Sequence, residues 1–295
     1  MTRGRDYFGS HRLVRLIRAG ATCDVHETVN EADGQRYAIK ILKLKEKDNQ
    51  AEIHALKNEF EIGHNMKHPN IIRIYEFNKE LEQTYLVMEL FNAPNLKIML
   101  RQGADALAPI VKNVVEQAAK ALYYFHEQGF VHRDIKPDNF LVSEEGEVKL
   151  IDFAISIKKP TGIAAMFNNW FSKVQGTRSY MSPEQIRNQT LDARADIYSF
   201  GCVLYELVTG RAPFTGDNEN DLLNNHLTAP PPSPQVKCPN LSPEFSDLIR
   251  KMMSKNKSQR PENMWEFLKA FKTMRLFKVL PRGNKVVTDD QNQQH

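Results

Sequence analysis

Apolar and polar residues alternate through Val14-Arg15-Leu16-Ile17 and again through Val25-His26-Glu27-Thr28-Val29, the two-residue period of strands. Asp33-Gly34 supplies a hairpin turn into the apolar run Tyr37-Ala38-Ile39-Lys40-Ile41-Leu42. The period then changes. From Ala51 to Met66, Leu56, Phe60 and Gly63 recur at helical spacing, and His68-Pro69-Asn70 stops that helix. Two more strands are predicted around Ile71 to Phe77 and Thr84 to Leu90, so residues 11–91 read as a small lobe of five antiparallel strands and one helix. Past Asn92-Ala93-Pro94-Asn95 the pattern turns helical, with Ile110, Val114, Ala118, Ala121, Leu122 and Phe125 repeating near 3.6 until Gly129. Residues 92–275 therefore predict a larger, mainly α lobe, giving an α+β chain overall. The polar stretch 276–295 ends in residues without an apolar anchor and is expected to be a disordered tail.

Composition narrows the class. With 295 residues and 41% apolar content the chain can fill a large core, and a net charge of +4 from 40 basic and 36 acidic residues does not call for nucleic acid as a partner. No run of 18 apolar residues exists and the first residues lack a secretory pattern, so no transmembrane segment and a cytoplasmic location are expected. Cys23, Cys202 and Cys238 are odd in number and widely spaced, which fits neither a disulfide framework nor a zinc site. Lys269, Lys272, Arg275, Lys278, Arg282 and Lys285 form a local basic run, read first as a solvated helix face.

The chemistry concentrates in Val131-His132-Arg133-Asp134-Ile135-Lys136-Pro137-Asp138-Asn139 and in Val148-Lys149-Leu150-Ile151-Asp152-Phe153. Phosphoryl transfer needs a carboxylate to orient the attacking hydroxyl and oxygen ligands for a metal that bridges phosphates; Asp134, Asn139 and Asp152 are residues of those types on two adjacent loops. These segments resemble the protein kinase family, whose catalytic loop reads HRDxxxxN and whose metal loop reads DFG. The resemblance implies the bilobal kinase fold, ATP with Mg²⁺ or Mn²⁺, and protein substrates. It makes Asp134 the catalytic base, Lys136 a balance for the γ-phosphate, and Asn139 and Asp152 the metal ligands. Ala38-Ile39-Lys40 matches the family's AIK strand, which implies that Lys40 binds phosphates and pairs with Glu59 or, less well spaced, Glu61. Gly20 stands in the phosphate loop; Val25, Ala38 and Leu141 match the residues around adenine, Met88 the gatekeeper, and Glu89 to Phe91 the hinge.

Gly176-Thr177-Arg178-Ser179-Tyr180-Met181-Ser182-Pro183-Glu184 is similar to the family's substrate-docking loop, and Lys136 with Thr177 is similar to the pair found in serine/threonine kinases. Asp196 resembles the residue that holds the catalytic-loop backbone, and Arg260 the partner of Glu184. The phrasing around Tyr180 and Leu207 is most similar to bacterial relatives of the eukaryotic kinases. Loop phosphorylation at Thr161, Ser172, Thr177 or Ser179, sensed by Arg133, is expected, as is autophosphorylation. The apolar insert with Phe167, Trp170 and Phe171 suggests a docking or dimer contact. Three departures stand out. The phosphate loop, Arg18-Ala19-Gly20-Ala21-Thr22-Cys23-Asp24-Val25, keeps one family glycine; Ala154 replaces the DFG glycine; and Gly63 within the first helix predicts a mobile helix.

Overall fold

A computed structural model describes residues 6–79, 83–103, 107–159 and 176–279. The insert residues Phe167, Trp170 and Phe171, the acceptors Thr161 and Ser172, and the tail beyond residue 279 lie outside the described residues. The N-terminal strands are β1 (Tyr7–Phe8), β2 (His11–Ala19), β3 (Cys23–Asn30), β4 (Arg36–Leu42), β5 (Ile74–Lys79) and β6 (Thr84–Glu89). They form one antiparallel sheet in the order β1-β2-β3-β4-β6-β5. Five strands were expected; the sixth is β1, too short to show a period of its own.

That extra strand explains why β4 and β6 are nearly continuous apolar runs, the signature of a sheet covered on both faces. Ala38, Leu42, Leu86 and Met88 join the main core, while Ile39, Ile41, Tyr85 and Val87 pack around Phe8 on the other face. Double burial also locks the register of Lys40, which stands opposite Val25 and Leu86. A one-residue slip would carry the ammonium to the wrong face of the sheet.

Helix α1 (Gln50–Gly63) starts at Asn49, whose side chain accepts from the Ala51 N–H, and buries Ile53, Leu56, Glu59, Ile62 and Gly63. The structure corrects the reading of Gly63 as a source of mobility. Gly63 is the last residue of the helix, and a Cβ there would lie 2.4 Å from Ile74 Cδ1 and 3.0 Å from Phe153 Cδ2. The glycine permits close packing, so the cost of a mid-helix glycine does not apply.

The larger lobe contains α2 (Leu96–Leu100), α3 (Val111–Glu127), α4 (Pro183–Ile186), α5 (Ala193–Thr209), α6 (Glu219–Thr228), α7 (Pro243–Met252) and α8 (Met264–Lys272). Helix α5 is buried nearly all round and so forms the lobe's centre. It ends at Gly210, whose φ of 72° makes the left-handed cap that glycine adopts most cheaply. Short strand pairs carry the chemistry-bearing loops: β7 (Phe130–Val131) pairs with β10 (Ile157–Lys158), and β8 (Phe140–Val142) with β9 (Val148–Leu150).

Candidate active site

Lys40 on β4 reaches across to α1, its Nζ 2.7 Å from Glu59 Oε2 and 3.5 Å from Asp152 Oδ1. Glu61 is exposed and pairs with Lys57 instead, because residues two apart on a helix face different ways. Burial by itself disfavours the Lys40 ammonium, but the Asp152 and Glu59 carboxylates outweigh it and hold its pKa above the ordinary range. Asp152 is likewise kept low: burial works against its ionisation, and Lys40 foremost, with Lys136, overcomes it. Both groups are therefore charged at neutral pH.

The carboxylate of Asp134 is saturated with donors. Thr177 gives its N–H at 2.9 Å and its hydroxyl at 2.8 Å to Oδ1, while Lys136 Nζ at 2.6 Å and Asn139 Nδ2 at 3.2 Å approach Oδ2. Lys136 also donates to Thr177 Oγ1 at 2.8 Å, closing a ring of charge-assisted bonds. The geometry fixes the direction of the carboxylate.

Two residues of the site hold left-handed backbone without being glycine, Arg133 at φ 71° and Asp152 at φ 70°. Such conformations cost of order 1–3 kcal/mol and persist only where the surroundings over-determine them. For Arg133 the surroundings are visible. Buried Asp196 accepts from the N–H groups of His132 at 2.8 Å and Arg133 at 2.9 Å, and Gln185 Nε2 donates to the Arg133 carbonyl at 2.9 Å. Asp196 is itself oriented by His126 Nε2 at 2.9 Å. Burial pushes the His132 pKa down, so its neutral ring accepts from Asp134 N–H through Nδ1 and donates through Nε2 to the Ile151 carbonyl.

Phe153 is buried and stacks on Phe125 with ring centroids 5.4 Å apart, beneath α1. Asn58, unremarked in the sequence, ties that segment to the helix: its Nδ2 donates to the carbonyls of Phe153 at 3.3 Å, Ala154 at 3.0 Å and Ser156 at 3.0 Å. Asn58 lies one residue before Glu59, so one turn of α1 orients both the Lys40 partner and the Asp152 loop. Nothing in an exposed-looking asparagine within a polar helix stretch signals this role. His126 and Gln185 were missed for the same reason, since their partners are distant in sequence.

Between the lobes lies a cavity of about 520 Å³. Its walls include all the predicted residues of the upper site: Gly20, Val25, Ala38, Lys40, Glu59, Met88, Glu89, Phe91 and Leu141, together with Asp152. The β2–β3 turn roofs it. Gly20 N–H donates to the Cys23 carbonyl at 2.9 Å, and Lys43 Nζ grips the Gly20 carbonyl at 2.6 Å and Asp24 at 3.3 Å. A Cβ on Gly20 would sit 2.3 Å from the Cys23 carbonyl oxygen, so glycine is required here by close backbone approach.

A hard divalent cation fits this site only as a shared guest. Asp152 presents an ionised, partly exposed carboxylate, and Asn139 has a carbonyl oxygen beside its donating amide. No cluster of three or more His, Cys, Asp or Glu ligands exists among the described residues. Mg²⁺ is characteristically held by one or two carboxylates plus substrate phosphates, and this donor set matches that habit.

Downstream, the segment resembling a docking loop is anchored to the lobe. Arg260 forms a buried bidentate pair with Glu184 at 2.6 and 2.9 Å, Ser199 Oγ donates to the Tyr180 carbonyl at 2.7 Å, and Tyr180 Oη donates to Glu206 at 2.5 Å. A two-lobed fold with a lysine–glutamate pair, a donor-saturated loop aspartate and a second aspartate across a nucleotide-sized cleft defines a phosphotransferase of the protein kinase class. Residues 12–271 match the protein kinase domain family, and the chain belongs to it. Among similar proteins, the probable serine/threonine-protein kinase PknB of Bifidobacterium longum is 32% identical over 88% of this chain and 39% of its own length. Serine/threonine-protein kinase PknA of Mycobacterium tuberculosis is 33% identical over 94% of this chain and 64% of its own. Serine/threonine-protein kinase PrkC of Bacillus subtilis is 30% identical over 88% and 39%, respectively. The chain thus spans between about two fifths and two thirds of the relatives it matches.

Proposed function

We propose that this protein is a serine/threonine protein kinase that transfers the γ-phosphoryl group of ATP to hydroxyls of proteins. The observation that carries the reading is the fixed Asp134 carboxylate, held by Lys136, Thr177 and Asn139 beside the Lys40–Glu59–Asp152 constellation. Residues 11–91 bind the nucleotide and residues 92–275 carry the catalytic and docking loops; residues 276–279, read from the sequence as part of a tail, pack on that lobe, with Leu276 buried and Phe277 bridging Leu241.

Adenine lies between Val25, Ala38 and Leu141, next to the Met88 gatekeeper and the hinge backbone of Glu89 to Phe91. Lys40, kept in place by Glu59, cradles the α and β phosphates under the Gly20 turn. Asp152 and Asn139 would hold Mg²⁺, which when bound would supply positive charge against the charge that develops during transfer. Asp134 aligns the acceptor hydroxyl and takes its proton, and Lys136, already bonded to Asp134, balances the γ-phosphate. Positioning and electrostatics supply the rate, with little covalent chemistry for the protein to perform.

The chain also phosphorylates its own activation segment. Thr177 is the poorest acceptor of Thr161, Ser172, Thr177 and Ser179 while its hydroxyl is engaged by Asp134 and Lys136. Arg133 waits near that segment with an Nε that has no partner among the described residues. A loop phosphate provides the anion it lacks.

Incubating the wild type and Asp134→Asn with MgATP and a generic protein acceptor, then mapping phosphosites, tests the proposal. Phosphoserine and phosphothreonine in the acceptor and in the chain are expected from the wild type and not from the variant. Equal labelling by both proteins, or none by either, rejects it.

A further inference from the structure

Helices α3 and α8 lie side by side and antiparallel. Tyr123 meets Trp265 with ring centroids 5.8 Å apart at one end, and Lys112 Nζ donates to the Met274 carbonyl at 3.4 Å at the other. Lys112, Glu116, Lys120 and Tyr123 recur every three or four residues along α3, and Trp265, Lys269 and Lys272 do so along α8. Side chains at that spacing share one helix face. The two helices therefore turn one joint face away from the core, and Arg275 extends it.

Its charge is one-sided. Lys112, Lys120, Lys269, Lys272 and Arg275 are exposed; of the carboxylates at the same spacing, Glu116 is occupied by Lys120 at 2.7 Å and Glu127 lies at the Tyr123 end. Among the described residues, Lys112, Lys269, Lys272 and Arg275 pair with no carboxylate. From Phe267 to Val279 the chain has no Asp or Glu. Five cations against two carboxylates make +3 on this face, most of the formal charge of +4 carried by the whole chain. Trp265 adds the exposed aromatic surface, 51% accessible. None of these residues lines the cleft.

We propose that this face docks on an anionic phospholipid bilayer. Lysine and arginine near such a surface are each worth about fivefold in partitioning, and indole and phenol rings favour the headgroup depth. Long cationic stems can lie along the interface while their heads stay in water. A protein partner is a poorer fit. A standard interface buries roughly 800 Å² per side around an apolar centre, and the aromatic surface of this face is Trp265 with a half-buried Tyr123. Among the described residues no helix is long and apolar enough to cross a membrane, and this face would engage the bilayer from its surface.

The test uses the full chain with phosphatidylcholine vesicles, with and without phosphatidylglycerol, in a sedimentation assay. Association with the anionic vesicles only, weakened by salt, is expected. Lys269→Gln with Lys272→Gln should weaken partitioning roughly 25-fold, two cations at about fivefold each. Both side chains are exposed, so the thermal unfolding temperature and phosphorylation in solution should stay unchanged. In a Trp170→Phe background Trp265 is the remaining tryptophan, and its emission should shift to the blue on anionic vesicles alone. Equal binding to neutral vesicles, or no effect of the double substitution, overturns the proposal. So does capture by soluble polyglutamate without vesicle association, which would assign the face to an acidic protein.

Discussion

Removing one hydroxyl at Thr177 isolates the orientation of Asp134 from everything else in the cleft. Thr177→Val keeps the size and branching of the side chain and retains the backbone N–H that donates to Asp134 Oδ1 at 2.9 Å. It deletes the hydroxyl bond to the same oxygen at 2.8 Å and the acceptor for Lys136 at 2.8 Å. Hydrogen bonds to charged groups are worth about 1.5–3 kcal/mol, and the surviving bonds to Asp134 from Lys136, Asn139 and the Thr177 amide limit the loss to about 2 kcal/mol. Applied to the transition state, that is roughly a 30-fold fall in kcat at tenfold per 1.36 kcal/mol. KM for ATP should not move, because Thr177 is absent from the walls of the nucleotide cavity. Thr177→Ser restores the hydroxyl and should recover most of the rate. Steady-state phosphorylation of a protein acceptor across an ATP titration reads both constants. An unchanged kcat, a rise in KM for ATP, or failure of serine to rescue would refute the assignment of an orienting role.

Other outcomes follow from the packing and the buried charges. Gly63→Ala distinguishes two accounts by sign: helix propensity alone predicts stabilisation by about 1 kcal/mol. The 2.4 Å approach to Ile74 instead predicts destabilisation of about 1–3 kcal/mol, read by urea unfolding. Arg260→Met strands the buried Glu184 carboxylate and should cost about 3–5 kcal/mol, much of it regained in Arg260→Met with Glu184→Leu; a double variant no more stable than the single would count against a charge-pair origin. His226 is pushed down to about 4 by burial and then by Lys255. A base held lower in the folded chain than in the unfolded chain binds fewer protons when folded, so its contribution is complete above about pH 6.5 and drains as pH falls toward 4. Between pH 7 and pH 5 the wild type should lose about 2 kcal/mol more than His226→Gln, and equal losses would remove His226 as the cause.

Much of this molecule was legible locally. The two-residue and 3.6-residue periods placed the sheet-rich and helical halves, Asp33-Gly34 and Gly129 mark their turns by backbone chemistry, and Lys40, Asp134, Asn139 and Asp152 stand in segments whose order resembles the kinase family. The choice of Glu59 over Glu61 was also available, because a helix presents side chains two apart in different directions. Register was another matter. The period of β4 permits either face outward, and only Phe8 closing over Ile39 and Ile41 makes Lys40 point into the cleft.

What the chain alone determined, then, were its periods, its turns and the kinds of group able to hold phosphate and metal, since these depend on neighbours within a few residues. Tertiary structure decided the meaning of Gly63, which reads as a weak point in a helix and proves to be a contact surface for Ile74 and Phe153. It also brought Asn58 to three carbonyls about a hundred residues away and His126 to Asp196. It set the cations of α3 beside those of α8. Such pairings arise when separate elements bury their apolar faces together, and no local pattern carries the position of a partner that only packing supplies.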